Sequence, residues 1–485
     1  MTDDHASCDL QDITRAGITQ DIGVVAVINT RGIVFAISSG HSDRGWMKRK
    51  VCLGDLGEIS ITQVFHEHIV GAIQEGIGAC GNKAPPKTRT YACDIFFACK
   101  TYVSMLAQSD GNLVIEIEDF DRQSLAVNTI IDTANVIDRI TTNTDQVGTV
   151  NDLCEAMFTY SSYDRAMTYK FLDDMSGEVI YELKDDDVVK SSFLGMRFPA
   201  GDIPLPARRA YIDNPVRFIA DVDKPPRDLI QKNNDISLAR SFLRGCVPPH
   251  KCYLQAMKVK GSLSIAITNT EGNLWGLIAM HSYTQPRIPT IEDRFSYAIL
   301  ASVTSSHVQN IESVERLGME TRIKTLVSQI DVKSSLGMYI VQNETVLLET
   351  FNTDSISLIT PGEPPTRVGE GGVTLQDLPT ELVEEPLTLG QLENPLRSFA
   401  CLSVLGYKLV FTRMSSYNPV RSLLSTLEKP TIKYHPQVKI RKKSLKPHLT
   451  EQLAETTHTD VSRPYVVAIH FKLWCQAVKS TGLFR

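Results

Sequence analysis

The sequence predicts an α+β protein of several domains, each a central antiparallel sheet flanked by helices, joined by a long helix. The length of 485 residues corresponds to about three domains. Short segments of alternating apolar and polar residues occur in pairs separated by turn residues, which is typical of antiparallel strands. Between them lie segments whose apolar residues recur at every third or fourth position, which is typical of helices.

The composition limits the functions that we expect. Charged residues make up 22% and hydrophobic residues 42% of the chain, as in ordinary globular proteins. The net charge of −6 gives no reason to expect nucleic acid or an anionic membrane as a partner. No apolar run reaches the roughly 18 residues of a membrane span. The ten cysteines form no CxxC pair, which argues against a zinc site and fits a reducing compartment. We therefore expect a cytoplasmic protein, with a nuclear location possible, and no metal.

The N-terminal quarter predicts an arm followed by a mixed domain. Residues 1–20 look irregular and contain Cys8, so we expect an arm there. The elements expected after it are two strands within 24–37, helical sequence at about 55–80, and a hairpin of 102–107 with 113–118. Strands at both ends with helices between them indicate an α+β domain over 21–128.

The middle of the chain predicts a second domain over 129–315. The elements expected are one helix over 129–163, strands at 165–171 and 177–182, and strands at 262–268 and 274–280 joined by a turn. Apolar residues from Phe295 to Ile323 then recur mostly at threes and fours, without Pro or Gly between Thr290 and Leu317. This pattern predicts one long helix, whose apolar stripe packs on its own domain, forms the spine of a dimer, or does both.

The C-terminal third gives weaker signals. We expect a third domain over 316–485, with strands at 336–341 and 407–412 and loops at 361–370 and 379–385. A basic run at 439–446 is typical of a solvated loop, and nuclear targeting is the minor alternative.

Three separated motifs carry a specific resemblance. They are PAGDIP at 199–204, LRGCVPPHKCYLQAM at 243–257, which turns at its two prolines before a helical pattern, and LWGLIAMH at 274–281. In this order they resemble the chromophore-binding domain of the phytochrome family, whose own first motif is PASDIP. The resemblance covers about residues 8–330 well and the rest poorly. The predicted domains are then PAS at 21–128, GAF at 129–315 and a divergent PHY domain at 316–485.

The resemblance implies a red/far-red light receptor. In phytochromes the GAF domain binds a linear tetrapyrrole (a bilin), and signalling begins with Z/E isomerisation at its D ring. We therefore expect this function, together with a homodimer through the helical spine and an unknown downstream partner. The alternative is a scaffold without photochemistry, because PAS and GAF folds also bind other ligands or serve only for dimerisation.

A linear tetrapyrrole makes four demands on a protein. Its flat conjugated system needs an apolar slot, its two propionates need cations, its pyrrole N–H groups need an acceptor, and its vinyl group reacts with a thiolate. The resemblance assigns Arg217 and Arg244 to the propionates, and arginine suits this role because its planar fork binds a carboxylate bidentately. It assigns the acceptor to the backbone carbonyl of Asp202.

Two histidines complete the polar part of the implied site. His250 would lie beside the inner pyrroles, where a charge that changes near neutral pH is useful, and His281 would bind the D-ring carbonyl. The other residues that the resemblance places at the chromophore are Met167, Tyr169, Phe198, Ile203, Tyr211, Tyr253, Ser262 and Ser264. Without the resemblance, the serines would be read as strand surface and the aromatic residues as core.

The attachment cysteine depends on which of two registers applies. The plant register makes Cys252 the anchor, as in the family's P-H-x-C pattern, but needs three extra residues after Arg244. The bacterial register needs no gap from Leu243 to Ser264 and uses a cysteine in the N-terminal arm. It implies biliverdin IXα, whereas the plant register implies phycocyanobilin or phytochromobilin.

The N-terminal arm favours the bacterial register. Cys8, Gly17, Gln20 and Gly23 fall at the spacings of the bacterial arm, although Asp21-Ile22 replaces its usual Pro-His. We therefore expect Cys8 to hold the chromophore, with Cys252 as the alternative.

The PHY half departs from the family. A hairpin of that domain carries a PRxSF arginine that pairs with the PAGDIP aspartate. Residues 470–474, HFKLW, resemble the SFxxW part and put Ala468 at the arginine position, so that either Arg463 takes this role or the contact is lost. The chain shows neither a phosphoacceptor helix nor a Gly-rich ATP lid, so we expect no kinase output and no enzymatic activity.

Overall fold

The computed structural model describes most of the first two thirds of the chain and part of the last third. The described residues are 13–40, 45–80, 90–95, 101–107, 112–119, 126–172, 175–232, 236–328, 336–351, 353–359, 364–370, 387–392, 397–404 and 407–414. Cys8, the predicted loop at 379–385, the basic run at 439–446 and the Ala468 region lie outside these residues, so predictions about them stay predictions.

The described strands, in chain order, are β1 (Ile18–Thr19), β2 (Val24–Ile28), β3 (Val34–Ser38), β4 (Thr90–Ile95), β5 (Thr101–Ala107), β6 (Leu113–Asp119), β7 (Arg165–Phe171), β8 (Gly177–Lys184), β9 (Arg197–Phe198), β10 (Val216–Ile219), β11 (Arg227–Gln231), β12 (Gly261–Thr268), β13 (Leu274–Ser282), β14 (Ser355–Ile359), β15 (Thr366–Gly369), β16 (Leu387–Leu392), β17 (Arg397–Val404) and β18 (Tyr407–Met414). The helices are α1 (Ile61–Val64), α2 (Glu67–Cys80), α3 (Ala126–Thr141), α4 (Gln146–Ser161), α5 (Leu205–Asp213), α6 (Pro248–Ala256), α7 (Ile291–Ser328), α8 (Leu336–Gln342) and α9 (Glu344–Phe351). The predicted α+β class, with antiparallel sheets and flanking helices, is confirmed.

The first sheet has seven strands in the order β1-β11-β3-β2-β6-β5-β4. Both strand pairs predicted in this region are confirmed, since β2 pairs with β3 and β5 with β6. The apolar strand Val24–Ile28 is buried along its whole length. Val24 and Ile28 belong to a core shared with α2, whereas Val25 and Val27 belong to a core shared with the second sheet. Because successive side chains alternate between faces, this uninterrupted apolar run reflects a sheet covered on both sides.

The second sheet has six strands in the order β10-β12-β13-β7-β8-β9. All four strands predicted for this domain are present, at β7, β8, β12 and β13. The turn between β12 and β13 is closed by two backbone hydrogen bonds, from Asn269 to the carbonyl of Asn273 (2.9 Å) and from Gly272 to that of Asn269 (3.1 Å).

The single helix predicted over 129–163 is wrong, because the structure has two helices there, α3 and α4. The break falls at a run of small polar residues before α4. Asp145 is the N-cap of α4 in an extended conformation, and its carboxylate accepts a hydrogen bond from the backbone N–H of Gly148 at 2.7 Å. An aspartate that satisfies an otherwise unpaired N–H starts a new helix, which apolar periodicity alone does not reveal.

The long helix predicted after residue 290 is confirmed as α7, of 38 residues. Its apolar residues divide into two groups. Val308 and Ile311 are buried, whereas Ile299, Val314 and Leu317 are 50–61% exposed. The dimer along this helix stays a prediction.

The third sheet has five strands in the order β15-β14-β18-β17-β16. The predicted strand at 407–412 is confirmed as part of β18. The strand predicted at 336–341 is wrong, because these residues form the helix α8. Leu336, Tyr339 and Ile340 are its buried side chains, a spacing of three and four that fits a helix. The loop predicted at 361–370 is wrong in part, since Thr366–Gly369 is the strand β15.

Contacts divide the chain into two compact units. The first comprises Met1–Lys170, Val179–Gly195 and Gly201–Asn310, and the second comprises Phe171–Glu178, Met196–Ala200 and Ile311–Arg485. Among the described residues that the resemblance places at a chromophore, all lie in the first unit except Phe198. Within the described ranges, no helix has the length and apolarity to cross a membrane, and no cluster of His, Cys, Asp or Glu could hold a metal ion.

Candidate functional site

One face of the second sheet carries the centre of the predicted site. Arg217 on β10 is the register partner of Ser264 on β12, and Ser262 on β12 is the partner of His281 on β13. Met167 on β7 lies in the same row as Ser264, since both pair with Ala279. Directly opposed residues in an antiparallel sheet point to the same face, and so do residues two apart along a strand. The sheet therefore brings these side chains together, and Tyr169 follows Met167 on the same face.

Two arginines and a tyrosine form the cationic end of this face. Arg217 donates hydrogen bonds to the backbone carbonyls of Arg244 (2.6 Å) and Gly245 (2.9 Å). Tyr211, on α5, is hydrogen-bonded to Ser264 and lies within electrostatic range of both guanidinium groups. Burial raises the pKa of the Tyr211 phenol, and it lowers the pKa of Arg217. Among the described residues no carboxylate is ion-paired with Arg217, so this end of the site suits an anionic group.

The helix α6 presents one face to the site. Its first residues are Pro248 and Pro249, so the predicted turn at these prolines is instead the first turn of the helix, where a missing N–H costs nothing. The rings of His250 and Tyr253, one helical turn apart, are stacked with centroids 6.2 Å apart and planes 13° from parallel. Cys252 lies between them in sequence, on another face of the helix, and is exposed.

His250 is exposed to solvent, although the protein around it partly desolvates the ring. The enclosing protein, with the positive charges of Arg217 and Arg244, lowers the pKa of His250 to about 4. In the protein alone the His250 imidazole is therefore expected to be neutral at pH 7, and a role for its charge beside a bound ligand stays a prediction.

His281 closes the other end of the sheet face. Its side chain is buried, and this burial, with the charges of Arg165 and His250, lowers the pKa of His281 to about 3. The hydroxyl of Tyr283 lies 3.4 Å from its Nδ1 atom. The two predicted histidines are therefore within electrostatic range of each other, and both are neutral at pH 7.

Tyr253 connects the helix to the first motif. Burial raises the pKa of its phenol, and the charge of Asp202 and the phenols of Tyr169 and Tyr283 act in the same direction. Asp202 ends a short 3-10 turn, Ala200–Asp202, and the carbonyl of the next residue, Ile203, accepts a hydrogen bond from Arg208 at 2.8 Å. Phe198 stands on β9, which pairs with the start of β8.

Sequence reasoning missed a buried ion pair beside His281 on the neighbouring strand. The Nε atom of Arg165 lies 3.1 Å from Glu182 Oε1, with side-chain exposures of 1% and 3%. The guanidinium also stacks on the ring of Phe193, 4.2 Å from its centroid, and donates to the hydroxyl of Tyr283 at 2.7 Å. The alternation of β7 was the available signal, because it places Arg165 on the face of Met167 and Tyr169.

The described part of the N-terminal arm is tied to the loop beside the site. Gln20 is buried; its amide donates to the carbonyls of Phe218 (3.1 Å) and Phe242 (3.2 Å) and accepts from the N–H of Ala220 (2.9 Å). Asp21, one of the two departures from the family's arm, forms ion pairs with Lys224 (3.2 Å) and Arg227 (2.9 Å). The unusual residue thus has its own partners in this chain.

Comparisons with known proteins give a consistent set of relatives. No family model matches the chain. A bacteriophytochrome of Pseudomonas aeruginosa is 29% identical over 318 residues, which are 63% of this chain and 41% of the relative. Cyanobacterial phytochrome B of Nostoc sp. is 34% identical over 183 residues, 37% of this chain and 24% of the relative. These alignments span less than half the length of either relative.

A crystal structure of a bacteriophytochrome from R. palustris has the same fold. It matches with a TM-score of 0.64 over 84% of this chain and 87% of that one, at 20% identity. The sequence relatives and this fold confirm the resemblance to the phytochrome family that the three motifs indicated.

Proposed function

We propose that this phytochrome-like chain is a light receptor that binds a linear tetrapyrrole on the face of its second sheet. The observation that supports this proposal most strongly is that the same sheet face has a cationic end and a neutral, hydrogen-bonding end. Arg217 supplies a cation without a carboxylate partner among the described residues, and His281 supplies a neutral, buried imidazole. A bilin has carboxylates and a neutral ring carbonyl, so it satisfies both ends with one molecule.

The donor set fits a bilin in further respects. Arg217 and Arg244 would hold the propionates, with Tyr211, Ser262 and Ser264 as their polar neighbours. The backbone of Asp202 would accept from pyrrole nitrogens beside His250. The side chains of the first unit that would line the outer ring are apolar or aromatic and at least partly buried, namely Met167, Tyr169, Ile203 and Tyr253. Bilin, when bound, supplies absorption of red light and a double bond that isomerises.

The finer proposal is biliverdin IXα, attached through Cys8. The alternative anchor, Cys252, is exposed and lies off the helix face that carries His250 and Tyr253. The gapless register from Leu243 to Ser264 also supports this assignment, as does the tight attachment of Gln20 in the arm that leads back to Cys8. A bilin of the phycocyanobilin or phytochromobilin type bound through Cys252 is the alternative.

Signalling would start where the outer ring meets the protein. Rotation of the D ring would change its contacts with His281 and Tyr253, and the strand β13 and the helix α6 that carry them would pass the change to the rest of the protein. We propose that the described part acts by binding and light absorption rather than by catalysis. A homodimer through α7, an unidentified downstream partner and a cytoplasmic location belong to the same proposal.

The experiment is reconstitution with biliverdin followed by denaturing electrophoresis and zinc staining for covalent bilin. We expect staining of the wild type and of Cys252→Ser, and none of Cys8→Ser. Staining that is lost only in Cys252→Ser would overturn the bacterial register and point to a reduced bilin. Absence of any bilin binding, measured by absorption before denaturation, would favour a scaffold without photochemistry.

A further inference from the structure

A buried series of polar contacts leads from Glu182 to His281, and the proposed function does not use it. It runs from Glu182 to Arg165 (3.1 Å), from Arg165 to the hydroxyl of Tyr283 (2.7 Å), and from that hydroxyl to Nδ1 of His281 (3.4 Å). The first contact is an ion pair without hydrogen-bond geometry, and the last is long for a hydrogen bond. All four side chains lie in the first compact unit.

Tyr283 is held from two sides. Its backbone N–H donates to Asp164 Oδ2 at 2.6 Å, and the next residue, Thr284, donates its N–H to the same oxygen at 3.0 Å. Its ring stands edge-on to that of His281, with centroids 6.1 Å apart and planes at 84°. The phenol is therefore placed by the backbone at the end of β13, not by a freely rotating contact.

The protons in this series of polar contacts can be assigned one by one. A guanidinium only donates, so the Tyr283 oxygen accepts from Arg165, and its own proton needs another acceptor. Among the described residues the side-chain partner left to that hydroxyl is Nδ1 of His281. If Nδ1 carried a proton, the Tyr283 hydroxyl would have no acceptor there, and an unpaired polar group in a largely buried site is unfavourable.

Charge excludes the third possibility, a doubly protonated His281. The groups that face the imidazole electrostatically are Arg165 from β7 and His250 from α6, with the Tyr283 phenol beside it. The guanidinium of Arg165 disfavours a second positive charge nearby, although Glu182 partly neutralises it. Desolvation acts in the same direction. The ring of His281 is thus neutral, and its contact with the Tyr283 hydroxyl determines which tautomer it adopts.

We propose that Arg165 and Tyr283 are positioning residues that fix His281 as the neutral tautomer with Nδ1 accepting and Nε2–H free to donate. The inference rests on the proposed function only for its use, since an Nε2–H donor is what a neutral carbonyl of a ligand requires. An asymmetric ligand is then oriented by chemistry, with its carboxylates at Arg217 and its neutral carbonyl at His281. Neither Arg165 nor Tyr283 needs to touch the ligand.

The test uses the protein without any bilin. Histidine is labelled with ¹⁵N in the full chain, and the His281 signal is assigned as the one that His281→Gln removes. Two-bond ¹H–¹⁵N correlation spectra then show which ring nitrogen carries the proton. We expect a single neutral tautomer with the proton on Nε2 in the wild type, and a mixture of tautomers in Tyr283→Phe. The matched control is Tyr163→Phe, because the buried hydroxyl of Tyr163 has no hydrogen-bond partner among the described residues.

Two results would overturn the inference. One is a wild type with the proton on Nδ1, which needs no variant and so does not depend on whether Tyr283→Phe folds. The other is a folded Tyr283→Phe protein whose His281 keeps the single tautomer of the wild type. Failure of biliverdin to bind would refute the proposed function and leave these spectra unaffected, so the two ideas fail separately.

Discussion

Arg217 donates hydrogen bonds to the backbone carbonyl of Arg244 at 2.6 Å and to that of Gly245 at 2.9 Å. One predicted cation thus fixes the chain segment that carries the other, so the two are placed as a unit. Both described acceptors are neutral carbonyls, and burial lowers the pKa of Arg217 although an arginine stays charged. A ligand carboxylate would stabilise this desolvated charge.

Replacement of Arg217 should therefore weaken bilin binding. Loss of one charge-assisted hydrogen bond of about 1.5–3 kcal/mol corresponds to roughly a 10- to 150-fold loss of affinity for Arg217→Gln. Titration with biliverdin, followed by absorption, measures it. Arg139→Gln is the control, because Arg139 forms ion pairs with Asp152 and Glu155 at the protein surface. Equal affinity of Arg217→Gln and the wild type would contradict the assignment.

Glu116 should make stability depend on pH. Its buried carboxyl accepts hydrogen bonds from the Ser241 hydroxyl (2.6 Å) and the Leu243 N–H (2.9 Å), while the nearby cation, Arg294, is bound bidentately by Glu118 at 2.8 and 2.7 Å. Burial, and then the charge of Glu118, raises the pKa of Glu116 to about 7 from 4.5. The folded state therefore binds a proton that the unfolded state releases between about pH 4.5 and 7.

The stabilisation of the folded state by protonated Glu116 is fully present below about pH 4.5 and is lost as the pH rises through about 7. Urea unfolding at pH 5 and at pH 8 should show a smaller stability loss with rising pH in Glu116→Gln than in the wild type. A variant with the same slope as the wild type would show that Glu116 titrates normally. Glu118→Gln is the contrasting variant, because it leaves the buried Arg294 uncompensated and should destabilise at both pH values.

The buried pair of Arg165 and Glu182 predicts a large loss of stability when only one partner is removed. Glu182→Ala leaves a guanidinium that is 1% exposed without its carboxylate, which typically costs about 3–5 kcal/mol. Glu155→Ala removes a partner from the exposed pair with Arg139 and should cost less than about 1 kcal/mol. Chemical denaturation of both variants measures the difference. Similar small losses in both would mean that water reaches Arg165.

Gln20 should hold the N-terminal arm in place. Gln20→Ala removes three hydrogen bonds of a buried amide and leaves their partners unsatisfied, which should lower the free energy of unfolding by about 1–3 kcal/mol or more. It should also speed cleavage of the arm by a protease and lower the yield of attachment at Cys8. Gln74→Ala, at an exposed position of α2, is the control. An arm that stays equally resistant to cleavage would refute this role.

Local sequence patterns correctly predicted those strands and helices whose apolar periodicity can be recognised within a short stretch of sequence. The alternation of 262–268 and 274–280 and the stripe of α7 are of this kind. The error at 336–341 arose because Met338, Tyr339, Ile340 and Val341 are also common in strands. Only the burial of Leu336, Tyr339 and Ile340 distinguishes the helix.

For the candidate site, too, some features could be predicted from the sequence and others could not. The family resemblance grouped Arg217, His250 and His281, and the structure brings these three into one electrostatic cluster. Their protonation was not predictable, because the low pKa of His250 depends first on burial and then on cations from β10 and from the residues before α6. Arg165 was missed for a related reason, since a lone arginine on a strand is usually a surface residue. Its partner Glu182 follows on the next strand, and only the fold shows that both are buried.

The central claim is that this chain senses light through a bound bilin. The most direct test is the absorption spectrum of the purified chain with biliverdin, recorded before and after red light and again after far-red light. The account predicts a red band that shifts on illumination and returns, and that is absent from an Arg217→Gln, His281→Gln double variant. A bound pigment whose spectrum does not change under either light would contradict it.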